Sequence, residues 1–181
     1  MSVLNITPFS ELITERLLLR QLDLKDAYDI MLLRSDDVVN QYLNRQGKIT
    51  IDEAKGFIEK IRNGIINNEW FYWAIVFKNT DNLIGTICFW NIDFENSIGE
   101  IGYELKLEFH GKGIMQEAFL SVVNYGIHNL KFKVITAFPR KDNIKSIKLL
   151  EKNGFIIDEY NKFSNNRDSE EFACYYYENN S

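Results

Sequence analysis

Apolar residues along this chain repeat with two periods, and the period changes with position. Residues 16–21, RLLLRQ, are a short apolar run of strand length. The stretch LDLKDAYDIMLLRS that follows turns helical: Asp23 or Asp26 can cap it, and Ala27, Ile30, Met31 and Leu33 fall near helical spacing. Residues 36–49 hold no clear period and read as a loop or a loose helix. From Thr50 to Asn67 the helical signal is sharper. Thr50 and Glu53 form a capping box, and Ala54, Phe57, Ile58, Ile61 and Ile65 keep a 3–4 spacing. The middle of the chain is instead β-branched and aromatic: WFYWAIVF (70–77), LIGTICFWNI (83–92) and IGEIGYEL (98–105). The short polar loops KNTDN and DFENS between them predict an antiparallel meander.

Helices and strands then alternate. Met115, Ala118, Phe119, Val122, Val123 and Gly126 line one face of a helix over 113–127. FKVITAF (132–138) predicts a strand. Asn143 to Asn153 predicts a helix, with Asn143 as N-cap and Gly154 as its stop. FIIDEY (155–160) and EEFACYYY (170–177) supply the last two strands, joined by a polar loop with Asn165, Asn166 and Asp168. The sum is an α+β fold: a mixed, mostly antiparallel sheet of about seven strands with helices on both faces.

Composition narrows the function classes. A length of 181 residues suits one domain, and 45% hydrophobic with 14% aromatic residues can bury a substantial core. The net charge of −5 argues against nucleic acid as the main partner. Cys88 and Cys174 lie in apolar runs and read as reduced, partly buried thiols; His110 and His128 show no metal-ligand spacing, so no metal is expected. No signal peptide and no apolar run of membrane-spanning length is seen, and the expectation is a soluble cytoplasmic protein.

Three stretches carry candidate chemistry. In Glu108-Phe109-His110-Gly111-Lys112-Gly113, two glycines sit between a strand and a helix. The first amides of a helix lack internal partners, and glycines let the backbone curl around an anion, so the loop can cradle a phosphate. A plain tight turn is the other reading. A Walker loop fits worse, since Lys112 precedes Gly113, and so does a dinucleotide fingerprint, since Gln116 holds the third glycine's place. In the preceding strand, Glu100, Gly102 and Glu104 share one face, as general-base candidates or as solvent-facing residues. Asn143 and Ser146 lie one turn apart at a helix start, where they cap the helix or face the ligand held by the glycine loop. Trp70, Phe71, Tyr72, Trp73 and Trp90 read mainly as core.

The order of E-I-G-Y-E-L, F-H-G-K-G and D-N-x-x-S-I-x-L-L-E-K-N-G-F resembles the GNAT superfamily of acetyl-CoA-dependent N-acetyltransferases. The opening ITERLLLRQLDLKDA, with GYEL and HGKG, is similar to its ribosomal-protein N-terminal acetyltransferase branch. The likeness spans roughly residues 12–178, within a single domain over 1–181. It implies a GNAT fold with acetyl-CoA as cosubstrate. The pantetheine arm would run along Leu105, Lys106 and Leu107. The pyrophosphate would sit on the amides of His110, Gly111, Lys112, Gly113, Ile114 and Met115, with Asn143 touching the cofactor arm.

Two departures follow. Glu108 stands where the family has Gln or Arg, which removes a positive side chain near the phosphates. Leu150 stands where many members carry a general-acid tyrosine, so Ser146 is expected to stabilise the leaving thiolate. The implied reaction is direct acetyl transfer to a primary amine, of a protein or peptide N-terminus. Glu100 is the first choice of base, through water, and Glu104 the second. A small amine or antibiotic is an alternative acceptor, and a non-catalytic CoA-binding module an alternative function. Acceptor choice is expected to lie in residues 36–50, 91–97 and 161–169, in a monomer or a homodimer.

Overall fold

The computed structural model describes residues 9–43, 45, 47–160, 162–163 and 171–179. One sheet of eight strands runs through the molecule: β1 (Leu12–Ile13), β2 (Leu17–Gln21), β3 (Phe71–Phe77), β4 (Leu83–Asp93), β5 (Ile98–Leu105), β6 (Val134–Ala137), β7 (Ile156–Ile157) and β8 (Tyr175–Glu178). Their order across the sheet is β1-β2-β3-β4-β5-β6-β8-β7. Only β5 and β6 run parallel; every other neighbouring pair is antiparallel. The expected meander is β3-β4-β5. The eighth strand, β1, comes from the leader, where two residues pair against β2. The last two strands are shorter than their apolar runs, and the polar loop with Asn165, Asn166 and Asp168 lies outside the described residues.

Among the described residues five α-helices cover the sheet: α1 (Ala27–Ser35), α2 (Asp37–Asn40), α3 (Ile51–Ile66), α4 (Ile114–His128) and α5 (Ile144–Lys152). The Thr50–Glu53 capping box forms at the start of α3, with both reciprocal hydrogen bonds present. The 36–49 segment contains the single turn of α2, whose first amides bond to the Asp36 carboxylate. Gly154 stops α5 in the left-handed region at φ 80°.

Period-2 alternation in β3 builds two cores. Phe71, Trp73 and Ile75 point to the face covered by α4 and α5, beside Phe119, Val122 and Leu150. Tyr72 and Ala74 point to the opposite face, covered by α1 and α3, beside Ile30, Leu33, Ile58 and Ile61. Each such large side chain contributes ~1.5–3 kcal/mol on burial, and this two-sided burial makes β3 a near-continuous apolar run. Trp70 to Trp73 are therefore structural, and Trp73 is fully buried with its indole N–H on the Ser10 carbonyl at 2.9 Å.

Candidate active site

The parallel pair at the centre of the sheet is incomplete. β5 pairs with β6 only at Ile98–Val134, Gly99–Ile135 and Glu100–Thr136. On its other side β5 stays paired with β4 as far as Leu105. Beyond Glu100 the two strands splay, and among the described residues the edge of β5 over residues 101–105 has no strand beside it. Every second residue there turns its backbone N–H and C=O toward the gap, so an extended ligand can add as a strand. A cavity of about 730 Å³ fills the splay. Glu100 to Leu105 line it from β5, His110 to Gln116 with the exception of Lys112 from one wall, and Ala137 to Arg140 with Asn143, Lys145, Ser146, Lys148 and Leu149 from the other.

The first wall is the glycine loop. A 3-10 turn over Leu107–Phe109 ends β5, and the chain then passes through Gly111 at φ 72° and Gly113 at φ 71° into α4. At Gly111 a Cβ would touch nothing within 4 Å, so glycine serves there for its left-handed backbone and not for space. Gly113 is the N-cap of α4 and offers no side-chain cap. Among the described residues the amides of Gly111 to Gln116 make no backbone hydrogen bond, and the internal ladder starts with the Glu117 amide on the Gly113 carbonyl at 3.1 Å. A run of unpaired donors at the positive end of a 15-residue helix suits an anion.

His110 differs from its neighbours. Its amide donates to the Leu107 carbonyl at 3.0 Å, and its ring Nε2 lies 2.9 Å from the Leu105 carbonyl oxygen. It braces the turn, and its amide is not among the unpaired donors. The Lys106 amide is also occupied, by the Ile84 carbonyl at 2.9 Å, and its ammonium pairs with Asp29 at 2.7 Å. Lys112 reaches over the Phe109 ring, 5.7 Å from its centroid. Glu108 is exposed and does not line the cavity.

The second wall is the start of α5. The Asn143 Oδ1 accepts the Ser146 amide at 3.1 Å, so Asn143 caps the helix while lining the cavity. The Ser146 hydroxyl meets the Tyr103 hydroxyl at 2.7 Å. Tyr103 was not among the residues singled out from sequence. It projects from β5 beneath α5, packs edge-on to Phe119 at 5.6 Å, and has its hydroxyl pushed up to about 12 by burial, against the opposing effect of the Ser146 hydrogen bond. Leu150 is fully buried and stays out of the cavity. Lys145 and Lys148, spaced i and i+3 on α5, add two positive side chains to the lining, and Trp90, 41% exposed, adds an aromatic one.

The two strand glutamates have different surroundings. Neither is solvent-facing: Glu100 is 4% exposed, and the Glu104 side chain 8%. Glu100 accepts from the Asn91 side-chain amide at 3.0 Å, across an irregularity where β4 shifts register between Trp90 and Asp93 and Asn91 takes φ 44°. Glu104 is ion-paired with Arg45 and accepts from the Thr86 hydroxyl at 3.2 Å, which in turn accepts from Tyr72 at 3.0 Å. Beneath them, burial first and then Glu104 and Glu100 push the Cys88 thiol up, so it stays a protonated, poor nucleophile.

Residues 16–156 match the family description Acetyltransferase (GNAT) domain. The chain belongs to the GNAT acetyltransferase family. Among curated relatives it is 36% identical over 152 residues to an uncharacterised N-acetyltransferase, p20, of Bacillus licheniformis, covering 81% of this chain and 85% of that one. It is 32% identical over 84 residues to a ribosomal-protein-serine acetyltransferase of Escherichia coli, covering 46% of each. Among solved structures, RimL, a ribosomal-protein alpha-N acetyltransferase in complex with coenzyme A, superposes with a TM-score of 0.77 at 20% identity, covering 93% of this chain and 98% of that one. The protein is thus a GNAT-family N-acetyltransferase.

Proposed function

We propose that this GNAT enzyme moves an acetyl group from acetyl-CoA directly to a primary amine, at a protein or peptide N-terminus, within a ternary complex. The observation that carries the reading is one cavity in which an unpaired strand edge, a run of unpaired helix-start amides, a buried carboxylate and a serine hydroxyl all face inward. Acetyl-CoA, when bound, supplies the acetyl thioester and a thiol leaving group.

The residues fit that cosubstrate. The backbone of Leu105 to Leu107 would hold the pantetheine arm, chiefly through the Leu107 amide, since the carbonyls of Leu105, Lys106 and Leu107 already accept from the His110 ring, the Phe109 amide and the His110 amide. The amides of Gly111, Lys112, Gly113, Ile114 and Met115 would hold the pyrophosphate, with Lys145 and Lys148 adding positive charge from the facing helix. Asn143 would contact the arm with the amide nitrogen that its capping bond leaves over.

Glu100 is the proton acceptor, through water: an ammonium has no lone pair, and the acceptor must lose a proton before attack. Glu104, held by Thr86 and Arg45, is the second candidate. Ser146 donates to the sulfur where negative charge develops. Tyr103 stays protonated at working pH, and with its hydroxyl as the donor in the pair with Ser146 the serine proton would be left for the cavity. A protein acceptor is supported by relatives named for ribosomal proteins. A cytoplasmic setting accords with that acceptor, and among the described residues no helix is long and apolar enough to cross a membrane.

The test is a thiol-release assay with acetyl-CoA over a panel of N-terminal peptides and small amines. Turnover on peptides with free α-amines is expected. Turnover on small amines alone would move the acceptor to a metabolite or antibiotic, and binding of acetyl-CoA with no turnover on any amine would make the protein a CoA-binding module.

A further inference from the structure

The turn between β1 and β2 touches the glycine loop. Glu117, in the first turn of α4, accepts three hydrogen bonds from that turn: from the Thr14 hydroxyl at 2.5 Å and the Arg16 amide at 2.7 Å on one oxygen, and from the Arg16 Nε at 2.6 Å on the other. The same guanidinium donates through Nη1 to the Lys112 carbonyl at 3.0 Å. Its Nη2 lies 3.5 Å from the point where a Cβ on Gly113 would stand. Thr14 and Arg16 belong to ITERL, a stretch with no assigned part in the reaction.

We propose that Arg16, held by Glu117, is a positioning residue that aims the loop amides at the cofactor pyrophosphate. The argument is geometric. In a trans peptide the C=O of Lys112 and the N–H of Gly113 point in opposite directions. Arg16 holds the carbonyl on its own side, and Arg16 is not part of the cavity lining, whereas Gly113 is. Fixing the carbonyl outward therefore turns the Gly113 amide inward. Two glycines in the left-handed region would otherwise leave this segment many conformations, and ordering them at binding would weaken the complex.

Charge gives a second reason. Glu117 is needed for the clamp, yet a bare carboxylate one turn from a pyrophosphate would repel it. Burial acts to raise the Glu117 carboxyl, but the bonds from Thr14 and Arg16 together bring it below its ordinary value. It stays ionised, and Arg16 neutralises it in place. The pair is partly open to solvent, with side-chain exposures of 43% and 17%, so its main contribution is orientation more than Coulomb attraction.

This inference rests on the pyrophosphate reading of the loop, and the experiment separates the two. Calorimetry measures CoA binding to the wild type, Arg16→Ala and Arg16→Lys; steady-state kinetics then compares acetyl-CoA with S-acetylpantetheine, which lacks the pyrophosphate. Arg16→Ala is expected to raise the Kd for CoA about tenfold, equivalent to ~1.4 kcal/mol, with kcat on acetyl-CoA within twofold. With S-acetylpantetheine, its kcat/KM should equal that of the wild type. Arg16→Lys keeps the charge beside Glu117 but loses the planar fork that bonds Glu117 and Lys112 at once, and it should weaken CoA several-fold. An equal loss with both donors would reduce Arg16 to a general structural role and overturn the proposal, as would unchanged CoA affinity in both variants. A wild type that binds no CoA would overturn the pyrophosphate reading itself, whatever Arg16 does.

Discussion

The two sides of the cavity are made of different material. The side we assign to the cofactor is mostly backbone: the open edge of β5, the left-handed loop at Gly111 and Gly113, and the first turn of α4. The side we assign to the reaction is made of side chains from distant parts of the chain. Arg45 meets Glu104 across 59 residues, Tyr103 meets Ser146 across 43, and Asn91 meets Glu100 over an irregular turn of β4. A backbone site asks only for permissive residues at fixed spacing and tolerates many side chains around it. A side-chain site depends on how separate elements pack, and one substitution can redirect it.

That contrast predicts how each side breaks. The largest effect should come from Glu100→Gln, which keeps the shape and the Asn91 contact but removes the proton acceptor. Acetyl transfer should fall several tens-fold or more while CoA affinity holds, measured by initial rates beside calorimetry; an unaffected rate would assign the base elsewhere. On the backbone side, Gly113→Ala forces a residue with a Cβ into φ 71°. The left-handed region costs roughly 1–2 kcal/mol for such a residue, so the Kd for CoA should rise about tenfold with little change in the acceptor KM.

Smaller effects should follow from the supporting contacts. Tyr103→Phe removes the hydroxyl beside Ser146 and should lower kcat several-fold without moving the Kd for CoA. In the double variant with Ser146→Ala the losses should be less than additive, since both act through one hydrogen bond. The pH dependence has a defined sign. Tyr103 has its folded value raised from 10.0 to about 12, so its neutral form stabilises the native state fully below about pH 10, and that stability is lost as pH rises toward 12. A kcat profile with a step near pH 10 in the wild type, absent in Tyr103→Phe, would contradict this. The smallest change on the reacting side is expected from Arg45→Ala, which frees Glu104 and should shift the acceptor KM a few-fold while leaving the Kd for CoA in place.

The same contrast explains what could be read from sequence. The two-faced sheet was legible because β3 is a near-continuous apolar run, as a strand buried on both faces must be, and α3 announces itself with Thr50 and Glu53. The glycine loop was legible because its requirement is local: two left-handed residues immediately before an apolar helix. Tyr103 was not, since a tyrosine in a strand looks like core until α5 is laid over it; only its position opposite in phase to Glu104 hinted otherwise. The pairing of Arg45 with Glu104 had no local signal at all. Glu108 looked like an obstacle at the head of the phosphate loop, but the 3-10 turn of Leu107–Phe109 rotates it out to solvent. In the proposed site the missing positive charge would come from α5, where Lys145 and Lys148 line the cavity, and neither belongs to the loop motif.

The central claim is that backbone amides at the start of α4 receive the pyrophosphate of acetyl-CoA. Amide-resolved NMR of the uniformly labelled protein during titration with CoA tests it most directly. The account predicts saturable shifts concentrated on the N–H signals of Gly111, Lys112, Gly113, Ile114 and Met115, with the His110 amide, already bonded to the Leu107 carbonyl, moving least among its neighbours. Binding that leaves the Gly111 to Met115 signals in place, with shifts gathered elsewhere on the surface, would contradict it.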